Sequence, residues 1–124
     1  INYVKNGIAG MLENVPREKL IGGVPFYTRL WTEAGDGTIT SKAMGIAEEK
    51  RWVDNNQVEL TWQADTAQYY GEVQTSDGAQ FLWMEEERSL KEKMNVIRQN
   101  DLAGVACWKL GFEDSAAWDS IQWN

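Results

Sequence analysis

Histidine is absent from the sequence, and Cys107 is the single cysteine. Zinc sites of the usual kind, cysteine–histidine proteases and Ser-His-Asp triads all need side chains that these counts do not provide. One cysteine also excludes an internal disulfide. Because Cys107 follows the apolar residues Val105 and Ala106, we expect it to be a buried, unreactive thiol. We predict neither a metal nor a cofactor.

Positive charge and long apolar runs are also scarce. Twelve Lys and Arg against nineteen Asp and Glu give a formal net charge of −7, and no basic stripe is present to follow a phosphate backbone. A nucleic-acid partner is therefore not expected. No apolar run approaches the roughly 18 residues of a membrane-spanning helix. Since the chain begins with Ile1 rather than Met, we expect a longer protein, and the absence of a secretory signal leaves the localisation open.

Tryptophan, by contrast, is abundant: the chain has seven. An indole ring is a good core residue, and core packing is the default interpretation of each tryptophan. An indole can also stack on the apolar C–H face of a pyranose ring. Position along the chain has to decide which tryptophans are exceptions.

The two ends of the chain alternate between helical and strand patterns. Apolar residues at helical spacing predict a helix over residues 3–13. Apolar, β-branched and aromatic residues predict buried strands over residues 20–31 and 102–110. Pro25 is expected at a strand end or a bulge, because it has no N–H to donate to a sheet.

Two further helices are predicted near the C-terminus. A capping box over residues 89–92 predicts the start of one of them, and Asp114 or Ser115 is expected to cap the last. Helices that alternate with buried strands are typical of parallel sheets with crossover helices.

The middle of the chain, residues 39–84, reads as a small antiparallel unit. Ser41 is expected to cap a helix that runs to about Trp52. Alternating or aromatic-rich stretches predict strands over residues 58–62, 67–73 and 79–84. Thr75-Ser76-Asp77-Gly78 is typical of the hairpin turn that would join the last two strands.

Two segments resemble strands of glycoside hydrolase family 18, the chitinase-like barrels. Gly23-Val24-Pro25-Phe26-Tyr27-Thr28-Arg29 resembles the seventh barrel strand, and Leu102 to Gly111 (LAGVACWKLG) resembles the eighth. The run from Phe81 to Leu90 with Lys93 is similar to the segment before the seventh helix. The ending from Trp108 to Glu113, with Trp118, is most similar to the spore-cortex-lytic and bacterial cell-wall glycosidases. The resemblance covers essentially the whole chain.

The resemblance implies an α/β fold with an α+β insertion. Residues 1–31 and 85–124 would be the last two strand–helix units of a TIM (β/α)8 barrel, and residues 32–84 the insertion. A complete barrel of this kind needs about 250 residues, so the chain would be its C-terminal part. The family's catalytic signature, D-x-x-D-x-D-x-E, is absent from the sequence and would lie upstream of Ile1.

The resemblance also implies an activity. The whole protein would be a glycosidase that hydrolyses N-acetyl-hexosamine polymers of chitin or peptidoglycan type by a substrate-assisted, retaining mechanism. This part would supply the cleft floor and wall but not the catalytic acid, and would be inactive alone. A secreted, cell-wall or spore-associated location would suit the whole protein.

Four residues are expected to bind substrate, three of them through the resemblance and Trp31 through its position two residues beyond Arg29. Trp108 matches the tryptophan beneath the sugar at the cleavage subsite. Tyr27 and Arg29 alternate along one strand, so they face the same side, and they match residues that line the cleft and hydrogen-bond the sugar. Trp31 would extend the platform. This hypothesis requires Tyr27, Arg29 and Trp108 to meet at one rim of a parallel sheet.

Each assignment has an alternative. Trp108 and Trp31 would otherwise be core residues, and Arg29 would form a surface ion pair. Glu85-Glu86-Glu87 lies just before a predicted helix, where helix capping and solvation explain it better than catalysis.

Two other functions remain open at this point. One is a lectin-like carbohydrate-binding protein without hydrolysis, and the other is an interaction domain whose aromatic residues are all core. Because two barrel strands cannot close a barrel, we also expect the isolated chain to self-associate.

Overall fold

The computed structural model describes residues 1–123 and has two β-sheets with helices packed against them. In chain order the elements are α1 (Asn2–Leu12), a 3-10 turn (Arg17–Lys19), β1 (Ile21–Pro25), β2 (Tyr27–Glu33), β3 (Ile39–Gly45), α2 (Ile46–Asn55), β4 (Thr61–Gln63), β5 (Gln68–Thr75), β6 (Gly78–Trp83), α3 (Glu87–Gln99), β7 (Gly104–Trp108) and α4 (Ser115–Ser120).

The two sheets differ in direction. β1 and β7 pair in parallel, with Ile21 opposite Gly104 and Pro25 opposite Trp108. The other five strands form an antiparallel sheet in the order β3-β2-β6-β5-β4. The predicted parallel pairing of the outer strands and the antiparallel middle of the chain are both confirmed.

The single strand predicted over residues 20–31 is wrong, because the structure divides it into β1 and β2. Pro25 ends β1, as expected for a residue without an N–H. The next residue, Phe26, is fully buried and packs edge-on against Trp118 at 5.4 Å between ring centroids. Burial of this ring turns the chain, so that β2 enters the antiparallel sheet one residue after β1 leaves the parallel one.

The helix predicted to start at Ser41 is also wrong at its N-terminus. Ser41 lies within β3, opposite Trp31 of β2, and the helix begins at Ile46 after Gly45. Pairing with β2 along seven residues overrides the weak local preference of this stretch for a helix.

Predictions for the remaining middle strands are mostly confirmed. β5 and β6 pair along their length, with Thr75 opposite Gly78 at the predicted hairpin turn. The strand predicted over residues 58–62 is displaced toward the C-terminus and becomes the short β4.

α3 starts earlier than predicted, because Ser89 is the last residue of the capping box and not the first. Glu86 is the N-cap, and its carboxylate accepts from the backbone N–H of Ser89 at 2.8 Å. The Ser89 hydroxyl accepts in return from the Glu86 N–H at 2.8 Å. At the last helix the predicted cap is confirmed, since Asp114 accepts from the Ala117 N–H at 3.0 Å.

Two hydrophobic clusters stabilise the fold. The first lies between the parallel pair and α3, and its buried members are Val24, Phe26, Ile46, Leu90, Met94, Ile97, Leu102 and Ala117. The second lies on one face of the five-stranded sheet and contains Leu30, Met44, Val53, Val58, Leu82 and Met84.

The parallel pair is covered on one face. Gly22 and Val24 are buried, whereas Ile21 is 63% exposed and Gly23 faces outward. β7 is therefore not the fully buried strand predicted, and Cys107 is half-buried rather than buried. Burial still raises the pKa of the Cys107 thiol, so it stays protonated and unreactive at neutral pH.

Among residues 1–123, no helix has the length and apolar content that a membrane crossing needs.

Candidate functional site

Trp108 is the last residue of β7 and points to the open face of the parallel pair. Its indole is 67% exposed, so it belongs to neither hydrophobic cluster. The backbone carbonyl of Trp108 accepts a hydrogen bond of 2.7 Å from the Phe26 N–H, which fixes the strand end beside the start of β2. The next peptide bond, Trp108–Lys109, is cis.

Trp108 borders a pocket of about 470 Å³ at the carboxyl end of the two parallel strands. We call it the Trp108 pocket; it is lined by Gly23, Val24, Pro25, Tyr27, Ala106, Cys107 and Trp108. Most of the lining residues are apolar. A flat apolar ring face would fit this surface better than a charged group.

β2 presents Tyr27, Arg29 and Trp31 on its open face, while Thr28 and Leu30 are buried, Leu30 in the second hydrophobic cluster. This alternation is the one expected for a half-buried strand. The Arg29 Nε–H donates to the Ser41 hydroxyl at 2.9 Å. No carboxylate of residues 1–123 pairs with Arg29, in contrast to the surface ion pair considered for it.

A second pocket, of about 310 Å³, lies beside the first. We call it the Arg29 pocket; it is lined by Pro25, Tyr27, Thr28, Arg29, Trp31, Thr66, Gln68, Trp83 and Glu85. Pro25 and Tyr27 line both pockets. The structure thus brings Tyr27 next to Trp108 and also next to Arg29 and Trp31.

The prediction that these residues meet at the rim of one parallel sheet is wrong. Only Trp108 lies on the parallel pair, whereas Tyr27, Arg29 and Trp31 lie on the antiparallel sheet. The turn at Phe26 is the reason, because it transfers the chain from one sheet to the other. The residues are nevertheless neighbours, since the two pockets share a wall.

Glu85, at the inner end of the Arg29 pocket, was expected to cap a helix or to be solvated, and it does neither. Its side chain is 2% exposed and forms an ion pair with Lys93, at 2.7 and 2.8 Å to its two oxygens. The Ser89 hydroxyl donates to Glu85 at 2.5 Å. Burial raises the pKa of Glu85, and the Lys93 ammonium opposes that shift.

Sequence reasoning missed Gln68, Trp83 and Glu85 as pocket residues. A usable signal was the spacing of Glu85, Ser89 and Lys93, since residues four apart lie on one side of a helix. Nothing comparable marked Gln68, which reaches the pocket from the far strand β5.

A second buried carboxyl, Glu49 of α2, lies next to Glu85 but outside the pockets. It is fully buried, and one of its oxygens accepts from the Glu85 backbone N–H at 3.4 Å. Burial raises the pKa of Glu49 to about 9, so this side chain is an uncharged acid at neutral pH.

In the part of the chain that the structure describes, the acidic side chains and the single cysteine are dispersed rather than grouped. Across residues 1–123, no three His, Cys, Asp or Glu side chains are grouped so that they could hold a metal ion. The pockets offer aromatic faces, one guanidinium, amides and hydroxyls, which is the chemistry that recognises a neutral polar ring.

The comparisons with known proteins agree with this geometry. The family model "Glycosyl hydrolases family 18" matches residues 2–113. The chain belongs to glycoside hydrolase family 18. Its predicted resemblance to that family is confirmed, and so is its similarity to the spore-cortex-lytic branch.

Several family 18 relatives are similar along nearly the whole chain. The cortical fragment-lytic enzyme of Bacillus subtilis is 25% identical over 120 residues, which are 95% of this chain and 28% of the relative. The uncharacterized glycosylase YvbX of the same organism is 23% identical over 122 residues, which are 98% of this chain and 35% of the relative. The chain thus spans between about a quarter and a third of the curated relatives it matches.

Solved structures show the same fold. The spore cortex-lytic enzyme SleL of Bacillus megaterium superposes with a TM-score of 0.84 at 22% identity, over 95% of this chain and 28% of that one. The chitinase of Chromobacterium violaceum superposes with a TM-score of 0.79 at 22% identity, over 89% of this chain and 34% of the chitinase. The mixed α/β fold of this family 18 chain is therefore that of chitinase domains, while the sugar-binding roles of Trp108, Tyr27, Arg29 and Trp31 remain predictions.

Proposed function

We propose that this chain is the C-terminal portion of a family 18 glycosidase barrel that hydrolyses N-acetyl-hexosamine polymers. In this proposal β1 and β7 are the last two barrel strands, and the antiparallel sheet from Tyr27 to Trp83 is a unit inserted between them. The chain supplies the floor and one wall of the substrate cleft, and the proton-donating acid comes from another part of the protein.

The observation that carries the proposal is the exposed indole of Trp108 beside Tyr27 at the carboxyl end of parallel strands. Active sites of TIM barrels lie at that end. A large aromatic ring that is 67% exposed needs a partner, and the C–H face of a pyranose is a suitable one because it is flat and apolar.

The open face of the parallel pair supports the barrel assignment. Parallel strands are normally covered on both faces, yet here Ile21, Gly23, Ala106 and Trp108 face outward. Further parallel strands would pair with the free edges and close a barrel around this face. The interior of such a barrel is filled by side chains rather than by water.

In substrate-assisted hydrolysis the substrate supplies the nucleophile and the protein supplies the acid and the binding contacts. The N-acetyl oxygen of the sugar attacks the anomeric carbon while a carboxylic acid gives its proton to the leaving oxygen, and water then opens the ring that has formed. Trp108 would hold the reacting ring in place by stacking. Arg29 and Tyr27 would donate hydrogen bonds to ring substituents, with the planar guanidinium providing directional donors.

Glu85 lines the Arg29 pocket but is unsuited to be the proton donor. Both of its oxygens accept from the Lys93 ammonium, and one also accepts from the Ser89 hydroxyl, so the carboxyl group is fully engaged within the protein. The sequence also lacks the signature in which the family places its acid, which is why that role is assigned elsewhere in the protein.

The substrate class is supported by what relatives are known to do. One relative is named a cortical fragment-lytic enzyme, and a class V chitinase of Nicotiana tobaccum with a TM-score of 0.71 was solved in complex with NAG4. Both names are consistent with N-acetylated glycans. The pockets described above are the matching surface on this chain.

The first test is Trp108→Ala in the intact natural protein, titrated calorimetrically with chitotetraose. We expect the affinity to fall about tenfold or more, which corresponds to at least about 1.4 kcal/mol, because the stacked ring face loses its partner. Trp123→Ala is the matched control, since this tryptophan is also exposed but lies outside both pockets. Unchanged affinity in Trp108→Ala with an intact fold would contradict the site.

The hydrolytic part of the proposal needs its own measurement. The intact natural protein should release shorter products from chito-oligosaccharides or from peptidoglycan glycan strands, detected by mass spectrometry. Binding without any release of products would contradict it.

A further inference from the structure

Gln68, the first residue of β5, extends a half-buried amide side chain into the wall of the Arg29 pocket. Its Nε2 lies 3.3 Å from Oε2 of Glu85. This Oε2 atom also accepts from the Lys93 ammonium at 2.8 Å and serves as an acceptor, so the amide turns its NH2 group toward Glu85. The amide oxygen is then directed away from Glu85.

The carbonyl oxygen of the Gln68 side chain is left as an available acceptor. No donor among residues 1–123 lies within hydrogen-bond distance of it, and it is not one of the buried atoms that lack a partner. It therefore keeps access to solvent at the pocket wall. A ligand that displaces this solvent has to supply a hydrogen bond in its place, because an acceptor buried without a partner costs free energy.

Glu85 is itself fixed, which makes the orientation of Gln68 definite. Lys93, of which 9% is exposed, and Ser89 both belong to α3 and both donate to the Glu85 carboxylate. The network thus runs from a helix of the first hydrophobic cluster to the pocket wall. Hydrogen bonds among such buried groups hold a functional side chain in one geometry.

We propose that Gln68 is a further substrate-binding residue and that Glu85 and Lys93 are its positioning residues. The Gln68 amide oxygen would accept a hydrogen bond from a hydroxyl or an acetamido N–H of the bound glycan. The inference rests on the function proposed above and extends it, because it adds a fixed acceptor opposite the donors of Arg29.

The chemistry of the pocket favours an acceptor at this point. Arg29 only donates, and the indole rings of Trp31 and Trp83 offer apolar faces, with the Trp83 Nε1–H already donating to Gln63 at 2.8 Å. A sugar amide N–H only donates, so it needs an oxygen on the wall. Gln68 supplies one that the protein does not use internally.

The direct test is Gln68→Met, which keeps the length of the side chain and removes its hydrogen bonds. In the intact natural protein we expect the affinity for chitotetraose to fall about five- to tenfold, the loss expected for one hydrogen bond. Gln80→Met is the matched control, because Gln80 is a half-buried glutamine on the neighbouring strand that bonds to Thr32 on the opposite face. Its affinity should equal that of the unsubstituted protein.

The positioning role is tested with Glu85→Gln. An amide at this place can donate as well as accept, so it no longer dictates which way Gln68 turns, and the affinity should fall toward that of Gln68→Met. A loss of thermal stability without any change in affinity would mean that Glu85 is purely structural and would overturn the positioning claim.

Proton exchange in the unsubstituted protein tests the orientation of Gln68 independently, in case the Glu85→Gln variant does not fold. The side-chain amide protons of Gln68 that face Glu85 should exchange slowly with solvent in nuclear magnetic resonance spectra, because the carboxylate holds them. Rapid exchange of both protons would overturn the fixed orientation.

The outcomes also separate this inference from the proposed function. If Trp108→Ala loses affinity while Gln68→Met binds as tightly as the unsubstituted protein, only the role of Gln68 is overturned. If the unsubstituted protein does not bind the oligosaccharide, both proposals fail together.

Discussion

Three consecutive glutamates illustrate how much a residue's role depends on its surroundings. Glu85 is buried in an ion pair with Lys93, Glu86 caps α3, and Glu87 is half-exposed at 3.9 Å from Lys50. The sequence shows them as one acidic run. Their side chains have different surroundings because the chain turns into α3 at this point.

The uncharged state of Glu49 leads to a pH prediction. In the unfolded chain this carboxyl ionises near 4.5, whereas in the folded protein burial raises its pKa to about 9. Between these values only the unfolded state releases the proton. The contribution of Glu49 to stability is therefore greatest below about pH 4.5 and is lost as the pH rises toward 9, by at most about 1.4 kcal/mol per pH unit.

Glu49→Gln tests this prediction, because an amide has nearly the same shape and does not titrate. Thermal denaturation at pH 5 and at pH 8 should show that the substituted protein is the more stable one at pH 8, with a smaller difference at pH 5. If the unsubstituted and the substituted protein have the same denaturation midpoint at pH 5 and also at pH 8, the idea that Glu49 is uncharged in the folded protein is contradicted.

At single positions, the sequence predicted what the local pattern determines. The alternation of Tyr27, Arg29 and Trp31 on one strand face needed only the two-residue period of a strand. The place of Trp108 at its strand end followed from the family resemblance. Gln68 and Glu85 were missed because their proximity to the pocket depends on pairing of β6 with the distant strand β2, which no local pattern encodes.

Among the elements, α3 depends most visibly on its first turn. The reciprocal bonds between Glu86 and Ser89 satisfy backbone N–H groups that have no partner within the helix. Glu86→Ala should therefore reduce the free energy of unfolding by about 0.5–2 kcal/mol, measured by urea denaturation.

The neighbouring Glu87→Ala is the control for that measurement. Glu87 has the same charge and is one residue away, but its half-exposed carboxylate makes only a 3.9 Å contact with Lys50. A change of no more than about 0.5 kcal/mol is expected. Equal effects of both substitutions would mean that charge near the helix, rather than the cap, stabilises α3.

β1 offers a second matched pair in two adjacent glycines. A Cβ at Gly22 would stand 2.5 Å from Cγ1 of Ile97, a core residue of α3, whereas a Cβ at Gly23 would meet nothing within 4 Å. Gly22→Ala should destabilise the protein by about 1–3 kcal/mol through overpacking. In the 124-residue chain Gly23→Ala should leave the denaturation midpoint nearly unchanged, and similar losses in both would contradict the packing described.

Element boundaries were predictable where turn chemistry or caps mark them, as at the hairpin of residues 75–78 and at Asp114. The boundary between β1 and β2 was not, because the sequence from Leu20 to Trp31 is mostly apolar and reads as one strand. Burial of Phe26 in the first hydrophobic cluster determines where β1 ends and β2 begins. Such burial exists only in the assembled fold.

For the molecule as a whole, the open face of the parallel pair has a consequence in solution. We propose that the isolated 124-residue chain self-associates, because Ile21 and Trp108 are exposed and both edges of the pair are unpaired. Sedimentation velocity should show species larger than 14.1 kDa, increasing with concentration. A single monomeric species at high concentration would contradict this.

The family and the mixed α/β class were recognisable from a few ordered motifs, since each strand segment retained its hydrophobic pattern and its end residues. The joining of two sheets at the pockets was not recognisable. That arrangement depends on contacts between residues far apart in the chain, such as the Phe26 N–H and the Trp108 carbonyl.

The passage through Phe26 limits how such proteins can be recombined. One extra residue there would advance β2 by about 3.3 Å and turn its outward side chains inward, so Tyr27 would leave Trp108 and Arg29 would face the core. Chimeras between family members should therefore keep residues 25–27 from one parent. The single residue Phe26 between β1 and β2 sets the distance between Trp108 on the parallel pair and Arg29 on the antiparallel sheet.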